Sequence, residues 1–278
     1  MKCASPMSIP RPKGLGSTDR ITVPCGQCIA CLLNKQQYWV IRLTEQQKSS
    51  ETSHFITLTY DDENLPIDDF GGGHTHKNDV QLFLKRLRKY CKKTGIKYFI
   101  TAEYGDTTNR PHYHGIFFNL PFHNGNLYYK RKAEKILTNV WKNGVVDVEP
   151  CTPKTISYVT KYVVNNNKYP EDKLPTFNLI SKGIGKSYLT AEIKKYHLKT
   201  KNFHYTTLDG GKRSLPRYYK EKIFSKMEIQ LNSKKIQKLS DDEWFKKPED
   251  EQSGKYAREI YEAMVNRIKS NKKLRTKL

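Results

Sequence analysis

Residues 97–120 read KYFITAEYGDTTNRPHYHGIFFNL, and this stretch decides the fold. Its two ends, 97–104 and 112–120, are rich in β-branched and aromatic residues, which is typical of strands. The segment between them, 105–111, contains Gly, Asp, Asn and Pro, the residue types of a hairpin connection. The stretch therefore predicts two neighbouring antiparallel strands.

The segments around this hairpin alternate between helix and strand patterns. The predicted elements are a helix that ends near Ser49, a strand over 55–60, a helix over 80–91 stopped by Gly95, the two hairpin strands, a helix over 133–141 closed by Gly144, a strand over 145–148, and a helix from Pro153 to about Asn165. From the first strand onward, the order β-α-β-β-α-β-α is that of a split βαβ unit. It predicts an α+β, ferredoxin-like (RRM-like) fold, in which helices cover one face of an antiparallel sheet and leave the other face free.

Composition divides the chain into three predicted parts. Residues 1–50 form an N-terminal arm, irregular over 1–24, which carries a cysteine cluster and the first helix. Residues 51–190 form the core, and residues 191–278 form a basic, mostly helical accessory segment. The segment Lys182-Gly-Ile-Gly-Lys-Ser187 lacks the spacing of a phosphate-binding Walker motif, so we interpret it as a turn.

The charge of the chain indicates its class of partner. Lys and Arg outnumber Asp and Glu by 50 to 28, for a net charge of +22, and 12% of the residues are aromatic. Such a chain favours a polyanion, and aromatic rings that can stack on bases make nucleic acid the first candidate over a merely basic soluble protein. No apolar run approaches the ~18 residues of a membrane span, so no membrane partner is expected.

Two histidines in the opening stretch, His112 and His114, lie two residues apart on the second predicted strand. Side chains alternate along a strand, so both imidazoles point to one face and can hold one metal ion. Antiparallel pairing can bring the Glu103 carboxylate beside them. This ligand set suits Mg²⁺ or Mn²⁺ bridging to a phosphate, and it also suits other divalent metals. The alternative is a strand with two polar residues at its exposed end.

The last predicted helix carries a second group of reactive side chains. Tyr158, Lys161 and Tyr162 cluster on one side of it, and the opposite side is an apolar stripe of Ile156, Val159 and Val163. A phenol with a pKa of about 10 is a poor nucleophile at neutral pH. A metal on the phosphate oxygens and the Lys161 ammonium would supply the activation. The alternative is two surface tyrosines at the edge of the sheet.

Three of the six cysteines crowd into the segment Cys25-Gly-Gln-Cys28-Ile-Ala-Cys31. Their spacing is that of metal ligands, and Cys3 would complete a tetrahedral structural zinc site that ties the arm to the first helix. An iron–sulfur cluster or free thiols are the competing interpretations. Such a chain does not look like a disulfide scaffold, which indicates a reducing compartment.

The order of three segments resembles that of the motifs of HUH endonucleases, the rolling-circle replication initiators. The segments are Phe55-Ile-Thr-Leu-Thr-Tyr60, His112-Tyr-His114 and Tyr158-Val-Thr-Lys-Tyr162. The whole chain also resembles the initiators of gokushovirus-type microviruses, small phages with single-stranded circular DNA, through Val23-Pro-Cys-Gly-Gln-Cys28, Gly183-Ile-Gly185 and Pro216-Arg-Tyr-Tyr219. The resemblance implies that residues 51–190 are an HUH endonuclease core.

The resemblance implies metal-dependent, site-specific nicking and joining of single-stranded origin DNA. The matching residues are His112 and His114 as metal ligands, Glu103 where a third ligand often lies, Tyr158 and Tyr162 as paired nucleophiles, and Lys161 between them. Attack by a tyrosine would leave a 5′-phosphotyrosine and a free 3′-hydroxyl that primes synthesis.

The resemblance also gives the expected partners and location. Origin DNA would be contacted beside the motifs by Thr57, Thr59, Tyr60 and Arg110. A host polymerase and a host helicase are expected, because no Walker motif is present. The expected location is the cytoplasm of the infected bacterial host. Two other functions stay open, an HUH relaxase or transposase and a non-enzymatic single-stranded DNA-binding protein.

Overall fold

The contacts within the chain, in a computed structural model, define two compact units, Met1–Lys194 and Lys195–Leu278. The structure describes residues 3, 5–10, 20–67, 71–92, 95–105, 107–123, 127–165, 173–207 and 209–245, without the side chains of 163–165, 237 and 240–245. None of the described helices combines the length and the apolar character that a membrane span needs.

The chain contains nine strands and seven helices within the described residues. The strands are β1 (Met7–Pro10), β2 (Arg20–Val23), β3 (Ser53–Tyr60), β4 (Lys97–Tyr104), β5 (Pro111–Phe118), β6 (Gly144–Pro150), β7 (Asn178–Ile180), β8 (His204–Thr206) and β9 (Lys212–Ser214). The helices are α1 (Ile29–Lys48), α2 (Lys77–Cys91), α3 (Leu127–Trp141), α4 (Pro153–Asn165), α5 (Ala191–Thr200), α6 (Arg217–Ile223) and α7 (Lys226–Phe245).

The first unit is built on a five-stranded antiparallel sheet in the order β6-β3-β5-β4-β7. Within it, β3-α2-β4-β5-α3-β6 is the predicted split βαβ unit, with β3 and β5 at the centre. The α+β fold with an antiparallel sheet is therefore confirmed. The hairpin of residues 97–120 is also confirmed, since β4 and β5 pair from Lys97↔Phe118 to Tyr104↔Pro111.

One face of the sheet, here called the packing face, carries α2 and α3. The predicted stripe of α2 is buried at Val80, Phe83, Leu84 and Leu87, whereas Tyr90 is exposed. These side chains and those of α3 pack on alternate strand residues, which are Ile56, Leu58, Tyr60, Ile100, Ala102, Tyr113, Phe117, Val146 and Val148. The period of 3.6 in the helices and of 2 in the strands brings these apolar faces together.

The other face, here called the site face, was expected to be free, but α1 and α4 cover one end of it. Leu43 of α1 and Ile156 and Val159 of α4 join a second buried cluster whose strand members are Phe55, Phe99, Ile116 and Phe118. These strand residues are apolar on both sides of the sheet, and such strands need a cover on each face. The prediction of helices on one face only is therefore wrong for this end.

Two predicted helix stops differ in detail from the structure. Helix α2 ends at Cys91, before Gly95, because Lys92 adopts the left-handed conformation with φ of 47° and donates its N–H to the Arg88 carbonyl. Gly144 has φ of 141° and begins β6, and a Cβ there would lie 2.3 Å from the carbonyl oxygen of Thr59. Only glycine fits this approach of two backbones, which fixes the edge of the sheet.

Outside the central sheet, two short hairpins depart from the predicted pattern. The arm was expected to be irregular, but β1 and β2 pair antiparallel from Met7↔Val23 to Pro10↔Arg20. In the second unit, α5, α6 and α7 fit the expected helical segment, and β8 pairs with β9. The predicted apolar stripe at 256–268 lies outside the described residues.

Candidate metal centre and tyrosine site

The candidate metal ligands lie on the two hairpin strands. Glu103 of β4 stands opposite His112 of β5, and His114 is two residues further along the same face. The Glu103 Oε2 atom lies 3.6 Å from His112 Nε2 and 3.2 Å from His114 Nε2. The three ligand atoms lie within 4.8 Å of one another. The sheet therefore brings together the two imidazoles and the carboxylate that the sequence singled out.

Neighbouring groups orient both imidazoles. His112 Nδ1 lies 3.0 Å from the carbonyl oxygen of Arg110, which can only accept, so Nδ1 carries the proton and Nε2 keeps its lone pair. His114 Nδ1 lies 3.0 Å from the hydroxyl of Thr57, its cross-strand partner on β3. Ordered outer partners of this kind fix the ring of a metal-binding histidine.

The charges of the site follow from its burial and hydrogen bonds. Burial raises the pKa of the Glu103 carboxyl, but hydrogen bonds from His112 and His114 outweigh it and hold that pKa at about 2. Burial lowers the pKa of His114, which is only 8% exposed. At neutral pH the site therefore holds an ionised carboxylate beside a neutral imidazole, the protonation states in which both groups bind metals.

Helix α4 brings its tyrosines over this group. Its first turn is capped by Thr152, whose hydroxyl accepts from the Thr155 N–H at 3.2 Å. The buried Ile156 and Val159 seat the helix on the sheet, which turns Tyr158 toward the histidines. The Tyr158 hydroxyl lies 3.4 Å from both Glu103 Oε2 and His114 Nε2.

Tyr162 and Lys161 complete the helix side of the site. The Tyr162 ring stacks on His114 with 6.3 Å between centroids and lies 5.2 Å from the Tyr158 ring. Burial, and then a hydrogen bond to Glu103, raise the pKa of Tyr162. The Lys161 Nζ lies 5.8 Å from the Tyr158 ring and 5.2 Å from the Tyr162 ring, so its positive charge faces both phenols.

The four residues expected to contact DNA lie in different environments. Thr57 and Thr59 are half-buried on the site face, opposite His114 and His112. The Arg110 guanidinium binds the Asp62 carboxylate at 2.7 Å and the Tyr60 carbonyl at 2.7 Å.

Tyr60 does not fit the expected contact with DNA. Its side chain points to the packing face, is 2% exposed, and donates a 2.8 Å hydrogen bond to Asp79. The same alternation that places Thr59 toward the site places Tyr60 in the core.

Sequence reasoning missed the contacts by which Phe55 and α1 support the site. Phe55 stacks on His114, with 5.5 Å between centroids and 9° between the planes. From α1, Gln36 donates to the Ser157 carbonyl in α4 at 3.2 Å. Arg42 donates twice to the Ile184 carbonyl, at 3.1 and 3.0 Å, in the predicted turn. The strand register would have placed Phe55, but no local signal joins α1 to α4.

The predicted cysteine cluster also comes together. The sulfur atoms of Cys3, Cys25, Cys28 and Cys31 lie within 4.8 Å of one another. Backbone hydrogen bonds, first from the Cys28 N–H, lower the pKa of Cys25, whereas burial raises that of Cys31 to about 12. The cluster joins the strand hairpin of the arm to the start of α1, and four sulfurs at these distances can hold one tetrahedral metal ion.

Comparisons with known proteins identify the family. The family described as replication-associated protein ORF2 matches residues 53–167, which contain all three motifs. The replication-associated protein VP4 of Bdellovibrio phage phiMH2K is 31% identical over 217 residues, covering 71% of this chain and 66% of that protein. The replication-associated protein ORF2 of Spiroplasma virus 4 is 30% identical over 217 residues, covering 73% and 68%. The chain belongs to this family of phage replication-associated proteins.

Two further matches are more limited. The replication-associated protein ORF4 of Chlamydia phage 1 is 28% identical over 221 residues, which are 72% of this chain and 53% of that protein. The N-terminal nuclease domain of minute virus of mice non-structural protein 1 aligns over 60% of this chain and 82% of that domain, at 11% identity and a TM-score of 0.23. That structural likeness carries no argument, and the family rests on the phage replication-associated proteins.

Proposed function

We propose that this replication-associated protein is a rolling-circle initiator that nicks and rejoins single-stranded origin DNA through a tyrosine. The observation that carries the proposal is the position of the Tyr158 hydroxyl, 3.4 Å from both His114 Nε2 and Glu103 Oε2. A nucleophile and a metal-ligand group in one place are what phosphodiester transfer to a side chain requires. Membership in the replication-associated family supports the same function independently.

The proposed cofactor is Mg²⁺ or Mn²⁺, held by His112, His114 and Glu103. The residues fit such an ion because their ligand atoms lie within 4.8 Å of one another and Glu103 is ionised at neutral pH. A divalent cation bound there would draw negative charge from the non-bridging oxygens of the scissile phosphate.

In the proposed step, the hydroxyl oxygen of Tyr158 bonds to phosphorus while the bond from phosphorus to the 3′ oxygen breaks. The phenol loses its proton and the departing 3′ oxygen gains one, so the products are a 5′-phosphotyrosine and a 3′-hydroxyl. Lys161 favours the phenolate, because its ammonium faces both tyrosine rings.

The second tyrosine would serve the end of a replication round. Tyr162 lies one helical turn from Tyr158 and contacts the same histidine ring. After Tyr158 is tied to the 5′ end, Tyr162 can cut the regenerated origin, and the released 3′-hydroxyl can attack the old phosphotyrosine and close the circle.

The cysteine cluster is proposed to hold a structural Zn²⁺. The Cys3–Cys25 and Cys3–Cys28 sulfur pairs are 3.5 and 3.8 Å apart, and the Cys28 N–H donates to the Cys25 sulfur at 3.3 Å. Backbone donors of this kind stabilise thiolate ligands. We expect Cys28→Ser to release one zinc per chain in elemental analysis and to lower the melting temperature, while any protein that stays folded keeps nicking activity. A wild-type protein purified without zinc would contradict this assignment.

The remaining proposals concern organisation and partners. Residues 1–50 would act as an arm, 51–190 as the endonuclease core and 191–278 as the accessory segment. Thr57, Thr59 and Arg110 are proposed to contact the origin strand, Arg110 by exchanging the exposed Asp62 for a phosphate. A host polymerase would extend the 3′-hydroxyl and a host helicase would unwind the duplex, in the cytoplasm of the infected host.

The test is the formation of a covalent adduct. The full chain is incubated with a circular single strand that carries the phage origin and Mn²⁺, and a denaturing gel is scanned for protein that carries DNA. We expect an adduct with wild type, none after chelation, and none with the double variant Tyr158→Phe/Tyr162→Phe. Binding without any adduct would instead support the non-enzymatic DNA-binding protein. Adducts that form on transfer or transposon ends but not on the phage origin would support a relaxase or transposase.

A further inference from the structure

The second unit has a small core of its own. Its buried side chains come from the β8–β9 hairpin, α6 and the segments beside them, namely His197, Phe203, Tyr205, Leu215, Tyr219, Ile223 and Phe224. Phe203 and Phe224 stack with 3.9 Å between centroids. This core holds the hairpin against α6 and leaves the outer side of the hairpin to solvent.

The outer side of the hairpin presents hydrogen-bond donors. Of the β8 residues Tyr205 is buried, whereas His204 and Thr206 are exposed. They stand opposite Ser214 and Lys212 of β9, which are also exposed. Hydroxyl, imidazole and ammonium groups therefore line one surface of the hairpin, which is the donor set that phosphate oxygens accept.

Lys220 of α6 adds a second ammonium to this surface. Its Nζ donates a 2.9 Å hydrogen bond to the Ser214 hydroxyl. Although its side chain is half-buried, no described carboxylate lies within ion-pair distance of its Nζ. Burial lowers the pKa of Lys220. A partly desolvated cation without an internal counter-charge is ready to accept an anion from outside.

The nearby carboxylates are engaged with other groups. Glu221 binds Arg217 at 2.6 Å, and Glu228 binds Lys201 at 2.5 Å. Asp209, in the turn of the hairpin, interacts with Thr207 and Arg213. Within the described residues, Lys212 and Lys220 are thus the two cations of this surface that have no acidic partner.

We propose that the β8–β9 hairpin and α6 form a second DNA site, in which Lys212 and Lys220 hold backbone phosphates. The inference rests on the proposed function, because that function makes DNA the polyanion that the chain meets. The Ser214 hydroxyl, already bound to Lys220, and the Thr206 hydroxyl donate further hydrogen bonds to phosphate oxygens. The surface holds DNA of any sequence, because phosphate contacts carry no base information.

The test compares full-length variants that lose equal charge at different places. Lys212→Ala/Lys220→Met removes both proposed contacts but keeps an apolar stem at 220 for packing. Lys234→Ala/Lys235→Ala removes two exposed lysines of α7 as the matched control. Lys212→Arg/Lys220→Arg keeps the charge. Binding to a labelled ~40-nucleotide single strand is measured across a salt series, with the melting temperature as the folding check.

We expect Kd at 0.15 M salt to rise about tenfold or more in the Lys212/Lys220 variant, equally for origin and unrelated strands. The slope of log Kd against log salt should fall by ~1.4, since each phosphate contact on a single strand contributes ~0.7. The α7 control should change Kd by less than about threefold, and the arginine variant should bind like wild type. If the double variant melts early, Lys212→Ala alone should lower the slope by ~0.7.

Equal Kd values and slopes in the Lys212/Lys220 variant and the α7 control would overturn the proposal. Adduct formation by the wild type, run beside the binding series, separates this result from the proposed function. A wild type that binds but never forms an adduct removes the nicking function and leaves the salt comparison readable.

Discussion

The two faces of the central sheet differ in chemistry along the same strands. On the packing face, residues such as Ile56, Ile100 and Phe117 are almost fully buried beneath α2 and α3. On the site face, each strand is apolar at one end and polar at the other. Phe55, for example, lies under α1 and α4, whereas Thr57 and Thr59 face the histidines. One face therefore supplies most of the stability and the other carries the proposed chemistry.

The polar end of the site face is less well satisfied than the packing face. Thr101 stands beside His114 in the register and is fully buried, yet its hydroxyl has no hydrogen-bond partner in the described part of the chain. The buried amide oxygen of Asn178, opposite Thr101 on β7, is in the same condition. An unpaired buried polar group costs roughly 1–3 kcal/mol. Less-than-ideal local stability is common where a surface is shaped for function.

The largest expected effect follows from removing a ligand on the site face. His114→Ala should lower adduct formation by a factor on the order of 10³ or more, because the cation would lose a ligand and Tyr158 a neighbour. Binding to single-stranded DNA should change by less than about threefold, since phosphate contacts supply most of the affinity. Quantitative adduct assays and salt-controlled binding check this division, and a parallel loss of both properties would contradict it.

Removing a large side chain from the packing face should act on stability alone. Trp141 is fully buried, and its indole N–H donates to the Thr59 carbonyl at 3.1 Å. We expect Trp141→Ala to lower the free energy of unfolding by about 3–5 kcal/mol, measured by denaturant titration. Trp141→Phe, which keeps most of the ring volume, should lose less. At a low temperature where the variant is folded, adduct formation should stay within a few-fold of wild type, and a larger loss would show that the faces are coupled.

The sequence predicted the parts of the fold that repeat with a clear period. The apolar stripe of α2 and the alternation in β4 and β5 are long enough to define an element and its inward side. The same alternation brought His112, His114 and Glu103 together and, had it been applied to β3, would have turned Tyr60 into the core. Strands β7, β8 and β9 have three residues each, too few for a period to be read.

The covering of the site face by α1 could not be read from local patterns either. Gln36 and Arg42 reach backbone carbonyls in α4 and in the turn at 183–185, more than 100 residues away along the chain. Polar residues of this kind resemble a solvated helix face until the tertiary contacts are known. The prediction of a free sheet face failed because these contacts are long-range and directed to backbone atoms.

A smaller effect is expected from the partner that orients His114. Thr57→Val keeps the shape of the side chain but removes the hydroxyl that lies 3.0 Å from His114 Nδ1. Loss of such an outer hydrogen bond should weaken Mn²⁺ binding by about tenfold, measured by calorimetry on the full chain. Thr57→Ser, which keeps the hydroxyl, should restore most of the affinity. If the valine variant binds Mn²⁺ like wild type, Thr57 does not orient the histidine.

The smallest effect should come from a histidine on the packing face. His54 is 3% exposed, neither ring nitrogen has a hydrogen-bond partner among the described residues, and burial lowers the pKa of His54 to about 4. Between pH 6.5 and pH 4 the unfolded chain therefore binds a proton that the folded chain excludes, so stability falls as pH falls through this window. From pH 7 to pH 5 the loss should be about 1–2 kcal/mol. Denaturant titrations of wild type and His54→Leu at both pH values isolate this contribution. The leucine variant should lose less stability than wild type over the same interval, and equal losses would place the pH sensitivity elsewhere, on the site face.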